Sequence, residues 1–459
     1  MTPSRRDFLR LSLAGAAVPL VATACAPGTS GSAASSSSSA GAAVSTDGAA
    51  MGDVSLTMLD SWVESAAPLQ NKAINAVNAA FTKKYPNIKI TRKSLTFDEM
   101  NKTLKLSLSG DTAPDIAPAN NGWQGIGQFA KSKLILDLEP YAKAYGWADR
   151  FPETLARQHQ VTADGSQIGT GNFFGVPVAQ GVFISIFYNR AKLAKLGEKV
   201  PTTMAEIDAL LAKAKAAGEV PMMIGTQDQW LATTTLFALM NVYADKKAIG
   251  DFVYGIGGTA ADTGMKQAAQ TYQKWATSGY LPKNFAGIPG ADSGQSFTEG
   301  TGLMYVYYSD SLPFKTTLDA DKFGAFFLPS PGAVQATGAG SQNLSIAARC
   351  KNPDAAALYL DFVSSNEAGD ISLATGLTPL MGTYQPTSST GPMLTDEIGQ
   401  LNALQGSDGF VPYFDWASPT MLDTLGAQCQ LLMAGKITPD QIVEACQKDY
   451  DAFRKTQGK

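Results

Sequence analysis

The chain has 459 residues, 44% of them hydrophobic, with 36 Lys plus Arg against 40 Asp plus Glu and a formal net charge of −4. That apolar fraction supports real cores in about three units of roughly 150 residues, or two larger ones, and excludes a disordered chain. There is no basic excess to neutralise phosphates, which argues against a nucleic-acid partner, and the single His159 removes zinc sites built on several His and most imidazole general bases.

Residues 1–24 read as a signal peptide: Ser4-Arg-Arg-Asp-Phe-Leu-Arg10 precedes an apolar run, Leu11 to Val21, that is too short to span a bilayer. Paired Arg5 and Arg6 followed by Phe8 and Leu9 resemble the twin-arginine export motif. Ala22-Thr23-Ala24-Cys25 resembles a lipobox, which marks Cys25 for lipid attachment; the alternative is ordinary cleavage nearby and a free secreted protein. Residues 25–52 are dominated by Ala, Ser and Gly and read as a flexible tether spanning roughly 25–30 Å, since such a segment buries too little apolar area to offset the entropy of ordering.

The body alternates strand and helix patterns. Ser55 to Leu59 reads as a strand, Leu69 to Phe81 recurs at helical spacing, and Ile88 and Ile90 alternate as a second strand. Thr96 and Glu99 form a capping box for a helix ending at Gly110, and Asp115-Ile116 begins a third strand. The grammar restarts with a strand at Phe183 to Tyr188, a helix capped by Thr203 and Glu206, and a strand at Pro221 to Ile224. Phe323 to Leu328 and Leu344 to Ala347 are strand-like, Asn352-Pro353 opens a helix, and Thr438-Pro439-Asp440-Gln441 opens the last one. The pattern predicts an α/β fold of two lobes, each a mainly parallel sheet flanked by helices.

Catalytic signatures are absent: there is no Gly-x-Ser-x-Gly elbow, no phosphate loop and no His-Glu-x-x-His, and His159 in its polar segment reads as a solvated or capping side chain. No cofactor and no metal site is expected. Tryptophans mark the strand ends instead. Trp62, Trp123 and Trp230 each follow a strand, and Trp416 stands in Pro412-Tyr-Phe-Asp-Trp416, with Asp60, Glu64, Asn121, Asp228 and Asp415 nearby. Loops at the carboxyl ends of strands line the ligand crevice of open α/β sheets. An indole face beside carboxylate and amide groups suits a sugar, whose C–H face stacks while its hydroxyls take directed hydrogen bonds. Trp147 and Trp275 fall in helical segments and read as core. Cys429 and Cys446 lie on neighbouring helical segments and are candidates for a disulfide if their Cβ atoms meet, whereas Cys350 reads as a small buried hydrophobe.

Lys84-Tyr-Pro-Asn-Ile-Lys-Ile90, Gly110-Asp-Thr-Ala-Pro-Asp-Ile116, Gly171-Asn-Phe-Phe-Gly-Val-Pro-Val178, Phe187-Tyr-Asn-Arg190, Phe297-Thr-Glu-Gly-Thr-Gly-Leu-Met304 and Lys351-Asn-Pro-Asp-Ala-Ala356 together resemble the family 1 extracellular solute-binding proteins of carbohydrate ABC transporters, the group that includes maltose-binding protein. The resemblance implies a two-lobed periplasmic-binding-protein fold with a ligand cleft between the lobes and closure about a hinge. The expected division is 53–180 plus about 328–388 for the N-terminal lobe and about 181–327 plus 389–459 for the C-terminal lobe. Carried over by position, Asp60, Trp62, Glu64, Asn121, Trp123, Gln180, Asp228, Trp230, Tyr308, Asp310, Asp415 and Trp416 correspond to regions that contact ligand. The implied protein is a monomeric, non-catalytic lipoprotein, anchored to the membrane outside the cell, that delivers a carbohydrate to ABC permease subunits. A secreted carbohydrate-active hydrolase and a ligand-presenting sensor are the alternatives.

Overall fold

The computed structural model describes residues 44–65, 67–309, 322–388 and 390–458, so the signal peptide, Cys25 and Asp310 lie outside the described residues. The strands are β1 (Val54–Asp60), β2 (Ile88–Ser94), β3 (Ile116–Pro118), β4 (Gln160–Val161), β5 (Asn172–Phe173), β6 (Val176–Pro177), β7 (Gly181–Asn189), β8 (Met222–Met223), β9 (Met304–Tyr308), β10 (Phe323–Phe326), β11 (Ala336–Gly340), β12 (Asn343–Ile346) and β13 (Phe410–Val411). One sheet runs β2-β1-β3-β12-β6; a second runs β13-β11-β7-β9-β8, with β10 also paired to β7.

Local sequence signals explain the helices that flank these sheets. Pro68–Lys84 buries Ile74, Val77 and Phe81 along one stripe, and Phe81 meets Tyr359 edge-on at 5.1 Å. Thr96 with Glu99, Thr203 with Glu206, and Thr438 with Gln441 each close a capping box, so two N–H groups at the start of each of these three helices are satisfied. Trp147 and Trp275 are fully buried, and their indole N–H groups donate to Asp361 at 3.0 Å and Asp208 at 2.8 Å.

The sheets are mixed rather than mainly parallel. β1 pairs in parallel with β2 and β3, but β12 is antiparallel to β3 and β6, and β7 is antiparallel to β9, β10 and β11. The cause is topological: a strand arriving from the other lobe enters at the cleft end, so it runs against strands joined by crossovers within a lobe. The chain passes from the first sheet to the second at Val178–Gln180 and returns at Ser341–Gln342. The return comes later than the expected boundary near residue 328, because β11 still belongs to the second sheet. Its Ala-Thr-Gly-Ala-Gly sequence carries little strand signal, yet a Cβ at Gly338 would lie 2.8 Å from that of Phe183, so this pairing depends on close backbone approach.

Three further expectations are corrected. The tether was expected to reach residue 52, but Asp47 caps a 3-10 turn at Gly48–Met51, Gly48 is buried against Tyr85 and Leu358, and Asn87 Nδ2 donates to the carbonyls of Gly48 and Gly52 at 2.8 Å each. Contacts to the body order this stretch despite its composition. His159 is fully buried, not solvated, and burial pulls its pKa down to about 3, so it is neutral at ordinary pH. Cys429 and Cys446 are free thiols packed as small apolar groups between helices Met421–Met433 and Pro439–Thr456, and burial pushes both thiol pKa values up.

Candidate functional site

Strand register decides which loops face each other. Asn343 of β12 pairs with Pro177 and Leu344 pairs with Pro118, so β12 begins where β3 and β6 end. Gly181 pairs with Gly340 and Ile184 with Tyr308, so β7 begins where β9 and β11 end, and β8 and β13 run parallel to those two. The passages at 178–180 and 341–342 join these two ends directly. The loops after β1, β3 and β6 in the first lobe and after β8, β9 and β13 in the second therefore border one cleft. These loops, with the last residues of β1 and β9, carry every sequence-derived site residue that the structure describes.

On the first-lobe side most of these residues are committed to the fold. Asp60 has no exposed surface and holds Arg92 by two bonds, Nε to Oδ2 at 2.7 Å and Nη2 to Oδ1 at 3.1 Å, while the Trp62 N–H donates to Oδ1 at 3.0 Å. Arg92 continues to Asn71 at 2.9 Å and Asn75 at 2.6 Å, so this is a closed network with its charges compensated. Trp62 lies in the first-lobe core and Trp123 packs edge-on against Phe453 at 5.1 Å; neither presents a free ring face. Glu64 is exposed and accepts from Asn71.

The amides are different. The side-chain oxygens of Asn121, Gln180 and Gln342 are buried and have no hydrogen-bond partner among the described residues. The other end of Gln342 donates to Ser61 in the loop after β1, and the backbone of Ser341 donates to the Gln180 carbonyl at 2.8 Å, so Gln180 and Gln342 sit at the chain crossings, while Asn121 lies in the loop after β3. An unpaired buried amide oxygen costs roughly 1–3 kcal/mol. Three near one crevice leave acceptor capacity for hydroxyl or N–H donors. Gln342 and Ser61 escaped the sequence reading, because nothing local marks residue 342 as a crossing.

The second-lobe side carries an aromatic shelf. Trp230 is 38% exposed and stands 6.0 Å from Tyr308 at 30°; Tyr308 stands 6.1 Å from Tyr413, and Tyr413 stands 5.0 Å from Trp416. Trp416 is buried beneath the row, whereas Tyr308 and Tyr413 are half-buried. Tyr413 was missed, although it lies in the same Pro-Tyr-Phe-Asp-Trp run. Asp228 is positioned by the fold: it accepts the Gly290 N–H at 2.8 Å and so caps the helix Gly290–Thr298.

The two sides meet at one seam. Gln124 Nε2 donates to both the carbonyl and Oδ2 of Asp415 at 2.8 Å each. Gly122, at φ +75°, backs onto Trp416 so closely that a Cβ there would sit 2.2 Å from the Trp416 Cβ. Beside this seam a cavity of about 200 Å³ is lined by Asn120 and Gln124 from one lobe and by Pro419, Leu422 and Asp423 from the other. A groove of about 530 Å³ beside β10 and helix Pro392–Gly406 includes none of the sequence-derived residues. No group of three or more His, Cys, Asp or Glu among the described residues is placed to hold a metal ion.

Two α/β lobes joined by crossing segments, with the loops of both sets of strand ends bordering one cleft, define a bilobal binding protein. Residues 64–370 match the bacterial extracellular solute-binding protein family, and the chain belongs to it. Among curated relatives, it is 28% identical over 162 residues to a "Probable sugar-binding periplasmic protein" of Mesorhizobium japonicum, covering 35% of this chain and 36% of that one. It is 24% identical over 292 residues to the "Multiple sugar-binding protein" of Streptococcus mutans serotype c, covering 61% and 66%. The matches thus span about a third and just under two thirds of these relatives' lengths. A solved "Chitin oligosaccharide binding protein" shares the fold, with a TM-score of 0.70, 22% identity and coverage of 87% of this chain and 99% of that one.

Proposed function

We propose that the protein captures a neutral sugar or oligosaccharide outside the cytoplasm and hands it to an ABC transporter permease. The observation that carries this reading is the pairing, across one cleft, of the Trp230–Tyr308–Tyr413 shelf with the unpartnered amide oxygens of Asn121, Gln180 and Gln342. The shelf offers apolar faces to ring C–H groups, and the amides accept from hydroxyls. Asp60 contributes little to this ligand chemistry, since its carboxylate is buried and already bonded within the fold. The names of the two curated relatives support the same ligand class.

Lobe closure is the transport signal in this account: each lobe supplies part of the site, so ligand contacts favour the closed state, and a permease that reads that state reads occupancy. The Arg5-Arg6 motif and the small residues before Cys25 support export through the twin-arginine route and lipid anchoring at Cys25. The N-terminal lobe comprises the first sheet with its helices and the C-terminal lobe the second, each built from chain segments on both sides of the crossings.

Isothermal titration calorimetry against neutral mono- and oligosaccharides tests the ligand class. The expected result is stoichiometric binding of at least one sugar, with no new reducing ends after prolonged incubation. Absence of heat with every sugar, or release of reducing ends, contradicts it.

A further inference from the structure

We infer that Asp415 and Gln124 form a proton-dependent latch between the lobes, one that holds them together more tightly as the medium acidifies. The inference rests on the two-lobed closing fold and deepens it by assigning a regulator to the seam; it does not depend on which ligand binds.

The geometry has three parts. Gln124 lies in the turn Gly122–Gln124 after β3, and Asp415 lies in the turn Phe414–Ala417 after β13, so their contact crosses from one lobe to the other. A single amide nitrogen serves both the carbonyl and the carboxylate of Asp415. Gly122 against Trp416 and Trp123 against Phe453 then cover the seam, leaving Asp415 only 6% exposed. The carboxylate therefore sits in a dry contact whose partner is a neutral amide.

Apart from Glu444, Lys448 and Lys455 of helix Pro439–Thr456, Asp423 and the Nη1 of Arg454, the charged groups on the packed elements are engaged elsewhere. On helix Lys246–Val253, Lys246 Nζ donates to the carbonyls of Ser407 at 2.8 Å and Asp408 at 2.6 Å, and Lys247 pairs with Asp251. On helix Pro439–Thr456, Asp449 accepts from Thr420 at 2.9 Å and Thr424 at 2.6 Å, and Arg454 donates to the Gly255 carbonyl. Asp423 of helix Met421–Met433 lines the adjoining cavity, and the turn Gly122–Gln124 carries no titratable group. No charge offsets the desolvation of Asp415; burial pushes its pKa up to about 6, and the Gln124 bond opposes that rise only in part.

When the lobes part, the carboxyl returns to water, where its ordinary value is 3.8. The closed state therefore binds the proton more tightly than the open state, and closure takes up a proton as pH falls through about 6. Linkage between these two values strengthens closure roughly tenfold from pH 7 to pH 5.

Small-angle X-ray scattering on the ligand-free protein between pH 7.5 and pH 5.0 tests this. The expected result is a radius of gyration that falls progressively as the pH drops below about 6, and a flat profile for Asp415→Asn, which stays compact because no charge needs hydration. Circular dichroism checks that the variant is folded, and Asp415→Ser replaces it if it is not, with the same flat profile expected. A wild-type radius that does not change, or the same transition in a folded variant, overturns the latch. Failure to bind any sugar would overturn the proposed ligand and leave this result untouched.

Discussion

The two edges of the cleft solve different problems with similar residues. On the first-lobe edge, Asp60 and Trp62 follow β1, and both are consumed by the fold: the carboxylate holds Arg92 and the indole fills the core. On the second-lobe edge, Asp228 and Trp230 follow β8, and there the carboxylate caps a helix while the indole stands out at 38% exposed. An acid and a tryptophan after a strand therefore do not define a binding site. Partner availability does, and the register of neighbouring strands sets it. Met58 pairs with Arg92, which brings the guanidinium within reach of Asp60, whereas the ring beside Trp230 is Tyr308, tilted at 30°, and the indole stays exposed.

The largest expected effect breaks the first edge. Asp60→Ala leaves the Arg92 guanidinium largely buried without its carboxylate, and the cost is about 3–5 kcal/mol of unfolding free energy, read by urea denaturation. If Asp60 were mainly a ligand contact, stability would hold and only affinity would fall. Next comes the seam between the edges. Gly122→Ala combines a left-handed backbone position with overlap on Trp416, so the expected loss is about 2–3 kcal/mol, accompanied by an increase in radius of gyration. An unchanged radius would place that contact outside the closing motion.

A smaller effect serves as the reference away from both edges. Thr438→Ala removes the cap of the last helix and is expected to cost about 1 kcal/mol by denaturation without changing sugar affinity. Binding that weakens with it would connect the C-terminal helix to the cleft.

The contrast between edges also explains what could be read from the sequence. The capping boxes at Thr96, Thr203 and Thr438 were legible because each is complete within four residues, and the strand and helix periodicities around them are equally local. The strand ends carrying the site were legible for the same reason. Which tryptophan stays open was not, since Trp62, Trp123 and Trp416 are buried by partners distant in sequence, as Phe453 is from Trp123. β11 was hidden because small residues that allow close approach to β7 lack the usual strand signature. Gln180 was found through family resemblance, while Gln342, on the return crossing, has no local mark and emerged only once β11 and β12 were assigned to different sheets.

The most direct test of the account compares Trp230→Ala with Trp62→Phe by calorimetric titration of the sugar that wild type binds. Trp230→Ala is expected to lose at least tenfold in affinity with unfolding free energy within about 0.5 kcal/mol of wild type. Trp62→Phe is expected to lower stability and leave affinity unchanged in the folded protein. The reverse pattern, with affinity lost at Trp62 and kept at Trp230, would contradict the assignment of the ligand-stacking face to the second lobe.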